Sequence, residues 1–240
     1  MVLIVAEIGV NFRDIREAER MIGLAKRAGA DAVKFQVYDT ENLYKIFPGG
    51  DVLLHPKREQ LIEIMLDKDK LQHLKNVADG AGIEFFATPM FPEAVGWLND
   101  IGVKRFKIRY ADKYNTPLLK KAMDTGKQVI ISCDFMYTIL SDTWHQPDFN
   151  KISLMYCIPE YPPAEIVLPQ VFSVFTGYSN HYPSIVPPLV AAARGCKILE
   201  VHVKPHLGED EPPIDVAVSI TFSELRELVK LVREMEEVVR

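Results

Sequence analysis

Three observations predict an α/β protein built as a single eight-stranded parallel (β/α)8 barrel of the TIM type over residues 1–240. Short apolar runs alternate with longer amphipathic ones from end to end, the pattern of crossover units around a parallel sheet. A glycine between a helix-like run and the next apolar run recurs five times, in RAGADAV, GAGIEFF, DIGVKRF, DTGKQVI and ARGCKIL, which reads as a helix stop feeding an inner strand. Dividing 240 residues by eight leaves 30 per unit, close to the roughly 30 that a strand, helix and two turns require. A doubly wound open sheet is the second choice.

Taken in order, the strands are expected at 2–7, 32–36, 84–87, 105–108, 128–132, 151–156, 175–177 and 197–201. Helical spacing of apolar residues, by threes and fours, places helices at 14–28, 68–81, 91–100, 117–125, 185–194 and 222–239. Asp14 is positioned to cap the first of these, with Glu17 three residues on. Residues 37–67 form a long loop after the second strand, with Pro48-Gly49-Gly50 at its centre and a short helix near 59–66. The fifth and sixth connections are eroded: 134–150 is a long loop or poor helix, and 162–172 carries three prolines around one short turn or helix.

Composition narrows the function. With 48% hydrophobic and 25% charged residues and a mean hydropathy of zero, the chain is a folded globule. A net charge of −5 and a pI near 5.7 offer no basic field for nucleic acid. Cys133, Cys157 and Cys196 are odd in number and far apart, which fits reduced thiols and a cytoplasmic location. The apolar start, 2–6, is broken by Glu7 and is too short for a signal or a membrane span.

Alternate residues of a barrel strand face its interior, so polar residues at strand ends need a reason. Period two places Lys34 with Ala32 and Gln36 on the inner face, and Lys107 with Arg105 and Arg109. Two inward lysines require an anion, supplied either by a ligand or by an internal carboxylate such as Glu7 or Asp112. His181 follows the seventh strand and His202 ends the eighth, close enough on adjacent strands to share a divalent ion. Water, Glu200, Asp215 or substrate oxygens would have to complete such a set, and two of six histidines can also meet by chance. His55, His73, His145 and His206 read as solvated. Glu7, Thr88, Ser132 and Asp215 fall on the same barrel end, where this fold assembles its sites, although Thr88 and Ser132 can equally be caps and the two acids ordinary loop carboxylates.

Read together, IVAEIGVN at 4–11, AGADAVKFQ at 28–36, TP at 88–89, KI at 107–108, NTPLL at 115–119, GKQVIIS at 126–132, YP at 161–162, GYSNH at 177–181 and EVH at 200–202 resemble the sialic acid synthases, motif by motif and in order. The resemblance implies a barrel that condenses phosphoenolpyruvate with an N-acylated hexosamine or related aldose, releasing phosphate and forming a nonulosonic or related 2-keto-3-deoxy sugar acid. It implies Mn²⁺ or Mg²⁺ on His181 and His202. Lys34, Thr88, Lys107, Ser132 and Ser179 would hold the phosphate and carboxylate, and Glu7, Asp112, Tyr161 and Asp215 would line the sugar and water side. Glu7 or Asp215 would serve as general base, and the barrels would pair as homodimers.

The chain departs from the family pattern at Phe12, Tyr110, Pro159 and Asn180, where His, Ser, Asn or Ser, and Asp are usual. Arg109 is a candidate to bind phosphate in place of the serine hydroxyl that Tyr110 does not supply. Full-length members carry a C-terminal antifreeze-like domain, which this sequence is expected to lack, leaving the sugar pocket more open or completed by another chain. Two further readings stay open: another metal-assisted barrel lyase or aldolase, and a catalytically silent barrel with a binding role.

Overall fold

A computed structural model describes residues 1–39, 57–134, 149–205 and 212–238. Eight strands run in sequence order, each parallel to the next: β1 (Leu3–Gly9), β2 (Ala32–Val37), β3 (Glu84–Pro89), β4 (Arg105–Ile108), β5 (Gln128–Cys133), β6 (Ile152–Cys157), β7 (Gly177–Asn180) and β8 (Ile198–Lys204). β1 also pairs with β8, in register Glu7 to His202, which closes the sheet into a (β/α)8 barrel. A two-residue strand, β9 (Ile220–Thr221), adds to the mouth end of β8.

Helices α1 (Ile15–Ala28), α2 (Arg58–Glu63), α3 (Lys68–Ala81), α4 (Pro92–Asp100), α5 (Thr116–Asp124), α6 (Val186–Ala193) and α7 (Phe222–Val238) surround it. α1 illustrates the local logic. Ala18, Met21, Ile22 and Ala25 form one buried stripe against the sheet. Asp14 accepts from the Glu17 backbone N–H as the cap. Glu17 closes the reciprocal contact one residue early, on the Arg13 N–H at 2.9 Å, because the Arg13 and Arg20 guanidiniums hold its carboxylate there. Gly29, Gly82, Gly102, Gly126 and Gly195 all have positive φ, as the recurring helix stop requires.

Two expectations shift. The seventh strand is not the apolar 175–177 but Gly177–Asn180, and the eighth runs past 201 to Lys204. Apolarity is a poor guide here because the upper barrel is polar yet buried. There Ser179 bonds Glu200, and the Tyr178 hydroxyl donates to Asn180. No helix occurs among the described residues 158–176, so the sixth connection is bends and turns. The centre of the fifth connection, Pro48-Gly49-Gly50, His55, His145 and His206 lie outside the described residues. Among the described residues no helix is long and apolar enough to cross a membrane.

Candidate active site

All eight barrel strands send a side chain into one cavity of about 530 Å³, lined by Glu7, Lys34, Thr88, Lys107, Arg109, Ser132, Tyr161, Ser179, His181, Glu200, His202 and Asp215 among others. Strand parity places them there. Lys34 points in while Phe35 points out, stacked on Phe85 and met edge-on by Phe12 at 5.9 Å. Phe12, which stands where the family usually has His, is therefore part of the core between barrel and helices. A bulge between Glu7 and Gly9 tilts the end of β1. Gly9 is left-handed there, and a Cβ would lie 3.1 Å from both Glu7 Oε1 and Gln36 Nε2, so only glycine lets the chain pass this close.

At the centre sits a buried network of two lysines and two glutamates. Lys34 Nζ lies 2.9 Å from Glu7 Oε2, 3.7 Å from Glu200 Oε2 and donates to Thr88 Oγ1 at 2.8 Å. Lys107, on the far side of the barrel from β8, donates to Glu200 Oε1 at 3.2 Å, and Ser179 donates to the same oxygen at 2.8 Å. The Gln36 amide donates to Glu7. Burial disfavours charge on the network, but the outcomes differ. Lys107 and Lys34 outweigh burial at Glu200 and hold it far below the usual carboxylate range. Burial, with Glu200 opposite, outweighs the pull of Lys34 at Glu7, so its pKa is raised. Glu200 and Glu7 overcome burial at Lys34 and keep it charged. Parity alone offers Glu7 or Asp112 as the carboxylate partner of the lysines; the structure supplies Glu7 and, as the second partner, Glu200, which the sequence suggests only as a spare cation ligand. A signal for it exists, since Glu200 shares parity with His202 on β8.

Across the cavity, His181 and His202 stand with ring centroids 5.5 Å apart. His181 Nδ1 donates to the Ile158 carbonyl at 2.8 Å, leaving Nε2 as an acceptor, and the Tyr161 hydroxyl donates to it at 3.0 Å. Burial, then the neighbouring His202, push the His181 pKa down to about 3, so the ring is neutral. His202 Nδ1 faces Asp215 Oδ2 at 3.4 Å. Burial opposes charge on His202, but Asp215, Glu7 and Glu200 together lift its pKa. A neutral imidazole oriented by a carbonyl, beside one backed by a carboxylate, is the arrangement of metal-ligating histidines. The pair thus fits a divalent cation as a partial set. Among the described residues no cluster of three or more His, Cys, Asp or Glu completes it, so the remaining ligands would be water and substrate oxygens.

Two expected residues lie differently from the rest. Asp112 does not line the cavity: it is buried and accepts from Arg109 Nε. Tyr161 is half exposed at the rim, its ring 4.1 Å from His181. Asn11 belongs to the first motif, which by itself gives it no role. Its amide donates to the Val203 carbonyl at 3.0 Å and Ser219 Oγ at 2.9 Å, and its oxygen accepts the Asp215 N–H at 2.8 Å. Ser219 donates to the Asp215 carbonyl at 2.6 Å. Together they clamp the backbone that carries Asp215 against His202.

Residues 21–240 match the NeuB family. The chain belongs to that family. N,N'-diacetyllegionaminic acid synthase of Legionella pneumophila is 28% identical over 98% of the chain and 72% of its own length. Human N-acetylneuraminate-9-phosphate synthase is 30% identical over 97% of the chain and 70% of its own length. The crystal structure of an N-acetylneuraminic acid synthetase from Leptospira borgpetersenii, solved with citrate, superposes with a TM-score of 0.80 at 29% identity, covering 99% of this chain and 85% of that one. A NeuB-family barrel with sugar acid synthases as relatives is an enzyme fold with a polar, charge-paired mouth, in agreement with the residues that line the cavity.

Proposed function

We propose that this NeuB-family chain condenses phosphoenolpyruvate with an aldose, an N-acylated hexosamine or a related sugar, to give a 2-keto-3-deoxy sugar acid and inorganic phosphate. The observation that carries this reading is the pair of buried lysines, Lys34 and Lys107, in a cavity also lined by Thr88, Ser132 and Ser179. Glu7 and Glu200 partner the two ammonium groups, and the hydroxyls gathered beside them make the cavity rich in donors, which suits a substrate with both a phosphate and a carboxylate.

In this reading the lysines and hydroxyls hold the two anionic groups and aim the enol carbon at the sugar aldehyde. A divalent cation on His181 and His202, Mn²⁺ or Mg²⁺, would supply Lewis-acid polarisation of that carbonyl. Carbon–carbon bond formation opens the aldehyde C=O, whose oxygen gains a proton to become a hydroxyl, and leaves positive charge on the phosphate-bearing carbon, to which water adds. Glu7, whose proton affinity burial and Glu200 have raised, takes the proton from that water; Asp215 is the alternative base. The carbon–oxygen bond to phosphate then breaks as the added hydroxyl becomes the keto group and its proton leaves with the phosphate, and Lys34 and Lys107 neutralise the charge that gathers on the departing group.

The test is phosphate release by the purified chain with phosphoenolpyruvate, Mn²⁺ or Mg²⁺ and a panel of N-acylated and plain hexoses. Release only when all three components are present supports the reading. No release with any sugar, and no binding of phosphoenolpyruvate, would overturn it.

A further inference from the structure

Arg109 lies two residues beyond Lys107, on the same inward parity, at the rim where β4 ends. Its side chain is 17% exposed. The guanidinium is fixed on one edge only: Nε donates to Asp112 Oδ2, and Asp112 is itself buried outside the cavity lining. Nη2 is shielded from solvent and has no hydrogen-bond acceptor among the described residues. A buried guanidinium N–H without an acceptor costs as much as a broken hydrogen bond, and folded proteins rarely keep one.

The neighbours leave a place for one more phosphate donor at the rim. Tyr110, which stands where the family pattern has a serine hydroxyl, donates its own hydroxyl to Asp134, and the Lys113 ammonium sits 3.1 Å above its ring. Its phenol is thus turned away from duty as a small hydroxyl donor. Lys34 and Lys107 each share their charge with a carboxylate, Glu7 and Glu200, so an anion that meets them has a further donor to gain from Arg109. Among the described lysines and arginines lining the mouth, Arg109 is the one with an open, buried donor. Its charge is permanent and its planar fork matches the oxygens of a phosphate.

We infer that Arg109 Nη2 anchors a phosphate monoester at the mouth, with Asp112 as the positioning residue that holds the fork. Under the proposed function, on which the choice of ligand rests, that group is the phosphate of phosphoenolpyruvate or a phosphate carried by the sugar acceptor.

The test is calorimetric titration of the full chain and of Arg109→Gln and Arg109→Lys with inorganic phosphate, phosphoenolpyruvate and mannose 6-phosphate in turn. Arg109→Gln is expected to weaken the responsible ligand by about tenfold or more, with Arg109→Lys between the two. Weakening confined to phosphoenolpyruvate identifies the donor's phosphate, and weakening confined to mannose 6-phosphate the acceptor's; either supports the anchor. If the unaltered chain binds inorganic phosphate through Arg109 but not phosphoenolpyruvate, the anchor stands and the proposed function falls. If it binds phosphoenolpyruvate and Arg109→Gln binds all three ligands equally well, the anchor falls and the function stands. Because Arg109→Gln strands Asp112, the double variant Arg109→Gln/Asp112→Asn serves where the single one does not fold. Unchanged affinity in that background overturns the inference as well.

Discussion

Glu200 is the carboxylate that binds the two halves of the mouth together, and replacing it with glutamine tests the electrostatic account directly. The variant keeps the shape and an acceptor for Ser179 but removes the charge facing Lys107 at 3.2 Å and Lys34 at 3.7 Å. At an effective dielectric constant of about 20, each contact contributes roughly 5 kcal/mol of Coulomb attraction, most of which offsets desolvation of the buried ions. The net loss on breaking such a network is about 3–5 kcal/mol. For a chain of this length that is a fall in Tm of roughly 6–20 °C, at about 2–4 °C per kcal/mol. Thermal and urea unfolding followed by circular dichroism measure it. The same account requires that inorganic phosphate or phosphoenolpyruvate recover more stability in Glu200→Gln than in the unaltered chain, since an anion would fill the place of the missing carboxylate. A loss below about 1 kcal/mol, or equal stabilisation of both proteins by the anion, would show that Glu200 does not hold the lysines electrostatically.

Three other outcomes follow from separate parts of the structure. Asn11→Leu removes three hydrogen bonds around Asp215 and should cost about 3 kcal/mol at roughly 1 kcal/mol per bond; a urea midpoint close to that of the parent would show that the clamp is slack. Tyr161→Phe frees the His181 Nε2 lone pair and should tighten Mn²⁺ binding about 2- to 10-fold by electron paramagnetic resonance titration, whereas weaker binding would make the phenol itself a ligand. Burial alone would raise the Glu17 pKa, but Arg13 and Arg20 hold it below the ordinary value. Its stabilisation is therefore complete above the unfolded carboxyl pKa of about 4.3 and fades as pH falls through the lower folded value. The stability gap between the parent and Glu17→Gln, on the order of 1 kcal/mol, should then close in acid and stay flat above neutrality.

How far these features were legible in the sequence depends on whether one strand or several carry them. Parity along β2 and β4 is a local property, so Lys34 and Lys107 could be placed in the mouth before any fold was known. The glycine stops and the Asp14 cap are local in the same sense. The partner of Lys107 was not legible, because Glu200 lies on β8 across the barrel and only closure of the sheet through β1 brings the two within reach. The family resemblance places Asp112 on the sugar side of the mouth, yet the turn after β4 directs it behind Arg109. The role of Asn11 depends on Ser219 and Asp215, more than 200 positions away, where no periodicity could point. Gly177–Asn180 is hidden for another reason: its buried residues are polar, and burial there is made tolerable by one hydrogen bond within the strand and one, from Ser179 to Glu200, that only its pairing with β8 supplies.

Charge accounting in the mouth says what a ligand must bring with it. Lys34 and Lys107 are matched by Glu7 and Glu200, and Arg109 is matched by Asp112, so with Glu7 ionised these six groups carry no net charge before substrate arrives. A substrate with a phosphate and a carboxylate adds about three negative charges to a cavity walled by buried side chains, which is costly unless positive charge enters too. The neutral His181, the Asp215-backed His202 and the easily protonated Glu7 lie on the side of the cavity away from Lys107, where they can accept a divalent cation or a proton. Anion and cation then favour each other's binding, by an equal factor in both directions. Under the proposed function, a requirement for a divalent ion would follow from the balance of the lysine–glutamate network as much as from the chemistry of the sugar carbonyl.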